Sequence, residues 1–187
     1  MPFTLTRTVL GILVPGLIAI TPWLLVLVQH TKATLGFDSN STLGHALIFS
    51  AAIVAGTFFE AQGTRLEVKW DNSKEGVHQV SENWYKYLSQ VLDKEPVGYR
   101  YMSRLATTLY FELAMMWAAP AFLLGATILA SLRFPEAWVI LGIVGLAAAV
   151  RVGFYFYSQA NCTHDVICST RKELVSRFPN KDTVISQ

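Results

Sequence analysis

Four long apolar stretches constrain this sequence more than any other feature, because each is long enough to cross a lipid bilayer. A helix needs roughly 20 consecutive apolar residues to span the hydrocarbon core. Such stretches run at about residues 8–28, 43–62, 105–132 and 137–157. Only 15% of the 187 residues are charged, whereas a soluble domain carries about 25% charge. The sequence therefore predicts an all-α, polytopic membrane protein with four transmembrane helices.

Two other interpretations fit parts of this pattern. Arg7 precedes the first stretch, as in a signal peptide, but that stretch contains Pro15 and Pro22 and lacks a clear small-residue cleavage site. A soluble helical bundle would need polar helix faces, and the first, second and fourth stretches have almost none. No linker rich in Pro, Gly or Ser divides the chain, so we expect one membrane domain over residues 1–187.

The distribution of Lys and Arg predicts the orientation. Twelve of the fifteen lie in the N-terminal tail, the middle segment 64–104 and the C-terminal tail 159–187. Lys32 and Arg133 are in the other two loops, and Arg151 lies within a span. Loops rich in Lys and Arg stay on the cytoplasmic side. We therefore expect a multi-pass protein of the cell (inner) membrane with both termini in the cytoplasm.

The middle segment predicts a short amphipathic helix from about Val77 to Lys94. The residues 70–73 (WDNS) are typical of a turn before it, and Pro96 with Gly98 would end it. Its aromatic content favours packing at the lipid interface or under the membrane helices, with recognition of lipid or a partner as the alternative. The apolar face contains Val80, Trp84, Tyr87, Leu88, Val91 and Leu92.

Three ionisable residues in the spans, Glu60, Glu112 and Arg151, are the main candidate site. A charge at the bilayer centre costs on the order of 3 kcal/mol, so such residues usually face protein or water. Counting along each span places all three in the cytoplasmic third, where we expect a paired polar network. That network is interpreted as a structural clamp, with a polar vestibule or ion pathway and a catalytic carboxylate pair as alternatives.

Two groups of neighbours accompany these charges. Small residues at helical spacing let another helix approach closely, and polar residues continue the second and third spans toward the cytoplasm. The small residues are Ala52, Gly56 and Gly63, and the flanking polar residues are Arg65, Glu67, Arg104 and Thr108.

Cys162, His164 and Cys168 follow the fourth span, but their spacing is unusual for zinc and offers no fourth ligand. We expect ordinary reduced cysteines, with acylation or a metal site as alternatives, and no cofactor or metal. His30 and His45, with Asp38 between them, are interpreted as solvated interfacial residues rather than haem or metal ligands. No hydrolase, metalloprotease, phosphate-loop or dinucleotide motif is present, which weakens an enzymatic interpretation.

Residues 60–67 (EAQGTRLE), 83–88 (NWYKYL), 95–101 (EPVGYRY) and 111–113 (FEL) form a spaced pattern over the middle third of the chain. In this pattern the chain resembles small bacterial multi-helix inner-membrane proteins, a resemblance that implies no particular activity. Small four-span bacterial proteins also act as effectors or accessories in phage defence, where they perturb the membrane. That second likeness is one of architecture.

These features predict a non-enzymatic membrane protein that forms an oligomeric channel or pore, or a membrane-perturbing effector. The first alternative is a scaffold whose cytoplasmic parts recruit a soluble protein. The second is an intramembrane enzyme that modifies lipid through Glu60, Glu67 or Glu112. The expected partners are the lipid bilayer, further copies of the chain and a cytoplasmic protein, and not nucleic acid.

Overall fold

The computed structural model describes residues 9–31, 42–88 and 97–177. Apart from Gln79 and Phe134 these residues are all helical, and four helices are long and apolar enough to cross a membrane. The predicted all-α class is thus confirmed, and the four helices suggest a multi-pass membrane protein. The expectations that concern Thr8, residues 32–41, 89–96 and 178–187 lie outside the described residues.

Five α-helices make up the described chain. Three of them are far longer than the roughly 20 residues that a bilayer requires, with 37 residues in the second, 37 in the fourth and 40 in the fifth. A π-helical turn at Val9–Leu13 precedes α1, and a 3-10 turn at Pro135–Ala137 precedes α5. The helices are α1 (Val14–Thr31), α2 (Thr42–His78), α3 (Val80–Leu88), α4 (Val97–Arg133) and α5 (Trp138–Arg177).

Three of the helices continue beyond the predicted spans into the segments that the sequence places in the cytoplasm. Residues 64–78 continue α2, residues 97–104 open α4, and residues 159–177 continue α5. We call the parts of the helices within the predicted spans the apolar segments, except that residues 105–112 of α4 are assigned to the polar extension. The polar extension comprises residues 63–78 of α2, all of α3, residues 97–112 of α4 and residues 158–177 of α5.

The turn expected at residues 70–73 is wrong, because α2 runs through it without interruption. Trp70 is buried in this stretch and packs its ring against Tyr157 and His164 of α5. Burial of an indole outweighs the weak turn preference of the polar residues that follow. The break comes instead at Gln79, whose φ of 48° separates α2 from α3. Gly98 lies inside α4 rather than ending a helix.

The helices pack mainly through α4, which has its most extensive contact with α5 and also packs on α1 and α2. The α1–α2 contact joins backbone to backbone: a Cβ atom at Gly16 would lie 1.9 Å from the Ala52 carbonyl oxygen, and one at Gly56 would lie 2.0 Å from that of Ile12. Only glycine allows this approach.

Two buried clusters stabilise the bundle. One lies among the apolar segments and contains Ala19, Met115, Ala118 and Ala119, so small side chains dominate it. The other lies mostly in the polar extension and contains Trp70, Met102, Leu109, Leu113, Ala160 and Ile167. By contrast, the outer face of the apolar segment of α5 exposes Ile140, Ile143, Val144, Leu146, Val150 and Phe154. An exposed apolar face of this extent is typical of contact with lipid or with another protein.

Candidate functional site

Glu112 lies at the end of the bundle where the polar extension begins. Its Oε2 accepts a hydrogen bond of 2.7 Å from the Thr163 hydroxyl of α5. Thr163 is six residues beyond Tyr157, the last residue of the predicted fourth span, or roughly 9 Å along the helix. The next residue, Leu113, packs against Gly63, just past the predicted second span. Glu112 is therefore at the boundary of the apolar segments, not deep within them.

The structure does not bring Arg151 to this carboxylate. Arg151 precedes Thr163 by twelve residues, so the two positions differ by roughly 18 Å along α5. Arg151 is exposed on the outer face of the bundle, between Ala147 and Tyr155. No ion pair joins Arg151 to Glu60 or Glu112 within the described part of the chain. The expected common depth of the three charges does not hold.

Glu60 is half-buried and lies one helical turn before Gly63 on α2. The flanking polar residues Arg65, Arg104 and Thr108 are exposed, while Glu67 is half-buried. Of the small residues, Ala52 and Gly56 contact α1 and Gly63 contacts α4. His45 is exposed on α2.

The amphipathic helix α3 packs beside the end of α5. Trp84 stacks on Tyr87 with ring centroids 6.3 Å apart, and the Arg171 guanidinium lies 4.5 Å from the Trp84 ring. This cation–π contact covers part of the Trp84 ring with a residue of α5. The position of the Leu88 side chain lies outside the described structure. The packing of α3 at a lipid interface stays a prediction.

A cluster of polar side chains joins α2 to α5 within the polar extension. The Lys74 ammonium donates to Asn161 Oδ1 at 2.8 Å and to Asp165 Oδ1 at 2.7 Å. Its Nζ also lies 3.4 Å from His164 Nδ1 and 5.6 Å from the Trp70 ring. Lys74 is thus held on one side of the imidazole by a carboxylate and an amide.

His164 is the most buried ionisable residue of this cluster, with 2% of its surface exposed. Its Nε2 lies 2.9 Å from Asp71 Oδ1, and the Cys168 sulfur lies 3.8 Å and 3.9 Å from its two ring nitrogens. Burial by itself lowers the pKa of His164, but hydrogen bonds and charge interactions with Asp71 and Cys168 together raise that pKa to about 9. The imidazolium and Lys74 then face the two carboxylates of Asp71 and Asp165, so the charges of the cluster balance.

The sequence interpretation missed most of this cluster. It considered His164 and Cys168 only together with Cys162, as candidates for a metal site or acylation, and it assigned Asp71 to a turn. A signal was present, because Asp71 with Lys74, and Asn161 with His164 and Asp165, are three or four residues apart and share a face if both helices continue. Because both helices were predicted to end before these residues, there was no reason in the sequence to treat the spacing as a shared helix face.

A polar pocket of about 220 Å³ opens beside Asp71. Arg171 borders it and carries a buried Nε atom with no hydrogen-bond partner. The pocket is lined by Glu67, Asp71, Val80, Ser81, Trp84, Tyr110 and Arg171. Carboxylates, a hydroxyl, a phenol and a guanidinium thus face one small space between α2, α3, α4 and α5.

Comparison of the chain with protein families, with curated proteins and with solved structures found no match.

Proposed function

We propose that this chain is an integral membrane protein that assembles into a homo-oligomer and conducts anions along a path between its copies. The observation that supports this most directly is Arg151. It is exposed on an otherwise apolar face of α5, whose neighbours include Ile143, Leu146 and Phe154.

Arg151 would be costly if that face met lipid alone. It precedes Tyr157 by six residues, which places it roughly 9 Å inside the apolar segment of α5. A charged residue at the centre of a bilayer helix costs about 2.5–3.5 kcal/mol, and such residues usually face protein or a water-filled cavity. A second copy of the chain against this face, with water between the copies, removes that cost.

The helices of one copy leave little room for a path of their own. Gly16 and Gly56 bring α1 and α2 into backbone contact, and Gly63 lies against Leu113 of α4. A ring of arginines contributed by several copies would attract anions and repel cations, as charged rings do in other pores. The conducting path therefore runs between copies, with Arg151 lining it.

The test is anion flux through liposomes that contain the purified full chain. We expect chloride flux from the unaltered protein and a reversal potential that indicates anion selectivity in a KCl gradient. Arg151→Ala should reduce chloride flux by roughly tenfold or more, since tenfold corresponds to about 1.4 kcal/mol of added barrier. Arg151→Lys should conserve anion selectivity, and Arg151→Glu should reverse it.

Lys172→Ala is the matched control, because Lys172 is an exposed cation of the same helix within the polar extension. Its flux and selectivity should equal those of the unaltered protein. Crosslinking in the same liposomes should yield a defined oligomer. A monomer in lipid, or selectivity that is indifferent to the sign of residue 151, would refute the proposal.

A further inference from the structure

We propose that Asp71, His164 and Cys168 form a binding site for one divalent transition-metal ion of the zinc class, at the contact of α2 and α5 in the polar extension. This inference does not depend on anion conduction. It rests on a different group of residues, whose potential ligand atoms all lie within 4.8 Å of one another.

The distances between these atoms are close to the edges of a zinc coordination tetrahedron. With Zn–N and Zn–O bonds near 2.0 Å and a Zn–S bond near 2.3 Å, those edges measure roughly 3.3 Å for N to O and roughly 3.6 Å for N to S. In the structure His164 Nε2 lies 2.9 Å from Asp71 Oδ1 and 3.9 Å from Cys168 Sγ. The Cys168 sulfur also lies 3.8 Å from Nδ1, so it is beside the ring rather than in line with Nε2. Its side chain must move toward Asp71 before the three ligand atoms, now within 4.8 Å of one another, surround one ion.

The ligand types favour zinc over magnesium or calcium. A thiolate and an imidazole are soft or borderline donors, which zinc, cobalt and copper prefer, whereas magnesium and calcium prefer oxygen alone. His164 and Cys168 are four residues apart and therefore share one face of α5. The thiolate and the carboxylate each carry one negative charge and the imidazole is neutral, so these ligands neutralise the two positive charges of the ion.

The surroundings determine which imidazole nitrogen binds. Lys74 Nζ lies 3.4 Å from Nδ1 and is held there by Asp165 and Asn161. An ion on the side of Asp71 binds through Nε2, which leaves the single proton of the neutral imidazole on Nδ1. Lys74 then no longer donates to Nδ1 and keeps its hydrogen bonds to Asn161 and Asp165. The Trp70 ring also packs against the imidazole, with ring centroids 5.5 Å apart.

The polar pocket supplies the fourth position. Asp71 is both a ligand of the proposed site and part of the lining of this pocket of about 220 Å³. Zinc sites with three protein ligands leave the fourth position to water or to an external ligand, whereas purely structural sites are closed by four. Asp71 is the one of the three ligands that lines this pocket, so an external ligand would approach the ion from the side of Asp71, where Ser81, Tyr110 and Arg171 also lie.

The test uses the full chain in detergent, stripped of metal with a chelator and titrated with Co²⁺ as a spectroscopic probe. We expect saturation at about one ion per chain, with the thiolate-to-cobalt charge-transfer band and the d–d bands of a tetrahedral site. Zn²⁺ added afterwards should displace the cobalt and abolish these bands.

Cys168→Ser should abolish the charge-transfer band, and Asp71→Asn should weaken binding by more than about tenfold. Cys162→Ser is the matched control, because Cys162 is a free, exposed cysteine of the same helix, and it should bind cobalt as the unaltered chain does. Because cobalt binding is measured on the unaltered protein as well, the test does not depend on whether a variant folds. Absence of a cobalt–thiolate band in it, or a band that persists in Cys168→Ser and disappears in Cys162→Ser, would overturn the proposal.

Discussion

At the scale of single residues, the contact between α1 and α2 depends on two positions without a side chain. Gly16 faces the Ala52 carbonyl oxygen of α2, and Gly56 faces that of Ile12 in the π-helical turn before α1, each at a distance that no Cβ atom tolerates. The atom that blocks the added methyl group is backbone in both cases, so it cannot rotate away as a side chain would. Relief requires the two helices to move apart, with loss of the packing around Ala52 and Ile12.

Gly56→Ala should therefore destabilise the protein by roughly 1–3 kcal/mol, the usual cost of overpacking. Gly76→Ala is the control on the same helix: no atom lies within 4 Å of its Cβ position. That change should stabilise α2 by roughly 0.5–1 kcal/mol, because glycine is a poor helix former. Unfolding in detergent, followed by circular dichroism, measures both. Equal stability of the two variants would contradict the close contact of α1 with α2.

At the scale of elements, a single non-helical residue separates α2 from α3. Gln79 has a φ of 48°, in the left-handed region, and its amide donates to the Glu75 carbonyl at 2.9 Å. The Glu75 carboxylate accepts from the Ser81 amide at 3.0 Å and 3.2 Å, and Asn83 Nδ2 donates to the His78 carbonyl at 2.7 Å. These bonds satisfy backbone groups that the helix ends leave free.

Gln79→Gly should raise the free energy of unfolding by about 1 kcal/mol, because glycine adopts positive φ without the steric cost that other residues bear. Gln79→Val should lower it, since a β-branched residue is poorly suited to that conformation. Thermal unfolding of the two variants beside the unaltered chain gives the comparison. A Gln79→Gly variant less stable than Gln79→Val would show that the break is elsewhere.

The sequence predicted which segments form helices better than it predicted how those helices pack against one another. Apolar length sufficed for four long helices, because the hydrophobic pattern within one helix is local. The positions of Glu112, Thr163 and Arg151 along the axis of the bundle could not be predicted from that pattern. They depend on how α4 and α5 are aligned with each other in the folded structure. The turn expected at residues 70–73 failed for the same reason: the contacts that keep α2 helical there come from α5, through Trp70 and Lys74.

At the scale of the whole molecule, the bundle has two parts with different surfaces. The apolar segments bury small side chains and expose large apolar ones, whereas the polar extension has a core of mostly larger side chains around Trp70 and exposes charge. The same α2, α4 and α5 form both parts. The orientation inferred from Lys and Arg, with the polar extension in the cytoplasm, stays a prediction of the sequence.

The two native cysteines provide a test of that orientation. Both lie on α5 in the polar extension, where Cys162 is exposed and Cys168 is buried. A membrane-impermeant maleimide should leave both unlabelled in intact cells and label Cys162 once the cytoplasmic side is opened. Cys168 should react only after denaturation. Labelling of Cys162 in intact cells would place the polar extension outside and reverse the predicted topology.

The continuity of α5 has a mechanical consequence. This helix of 40 residues is about 60 Å long at 1.5 Å per residue, and it carries Arg151 in its first half and His164 and Cys168 in its second half. A rigid rod that pivots at the edge of the bilayer acts as a lever, so a tilt of about 10° displaces its end, roughly 30 Å away, by roughly 5 Å. In the membrane topology that the sequence predicts, a tilt of α5 that follows the thickness of the bilayer would therefore change the spacing of the side chains between α2 and α5.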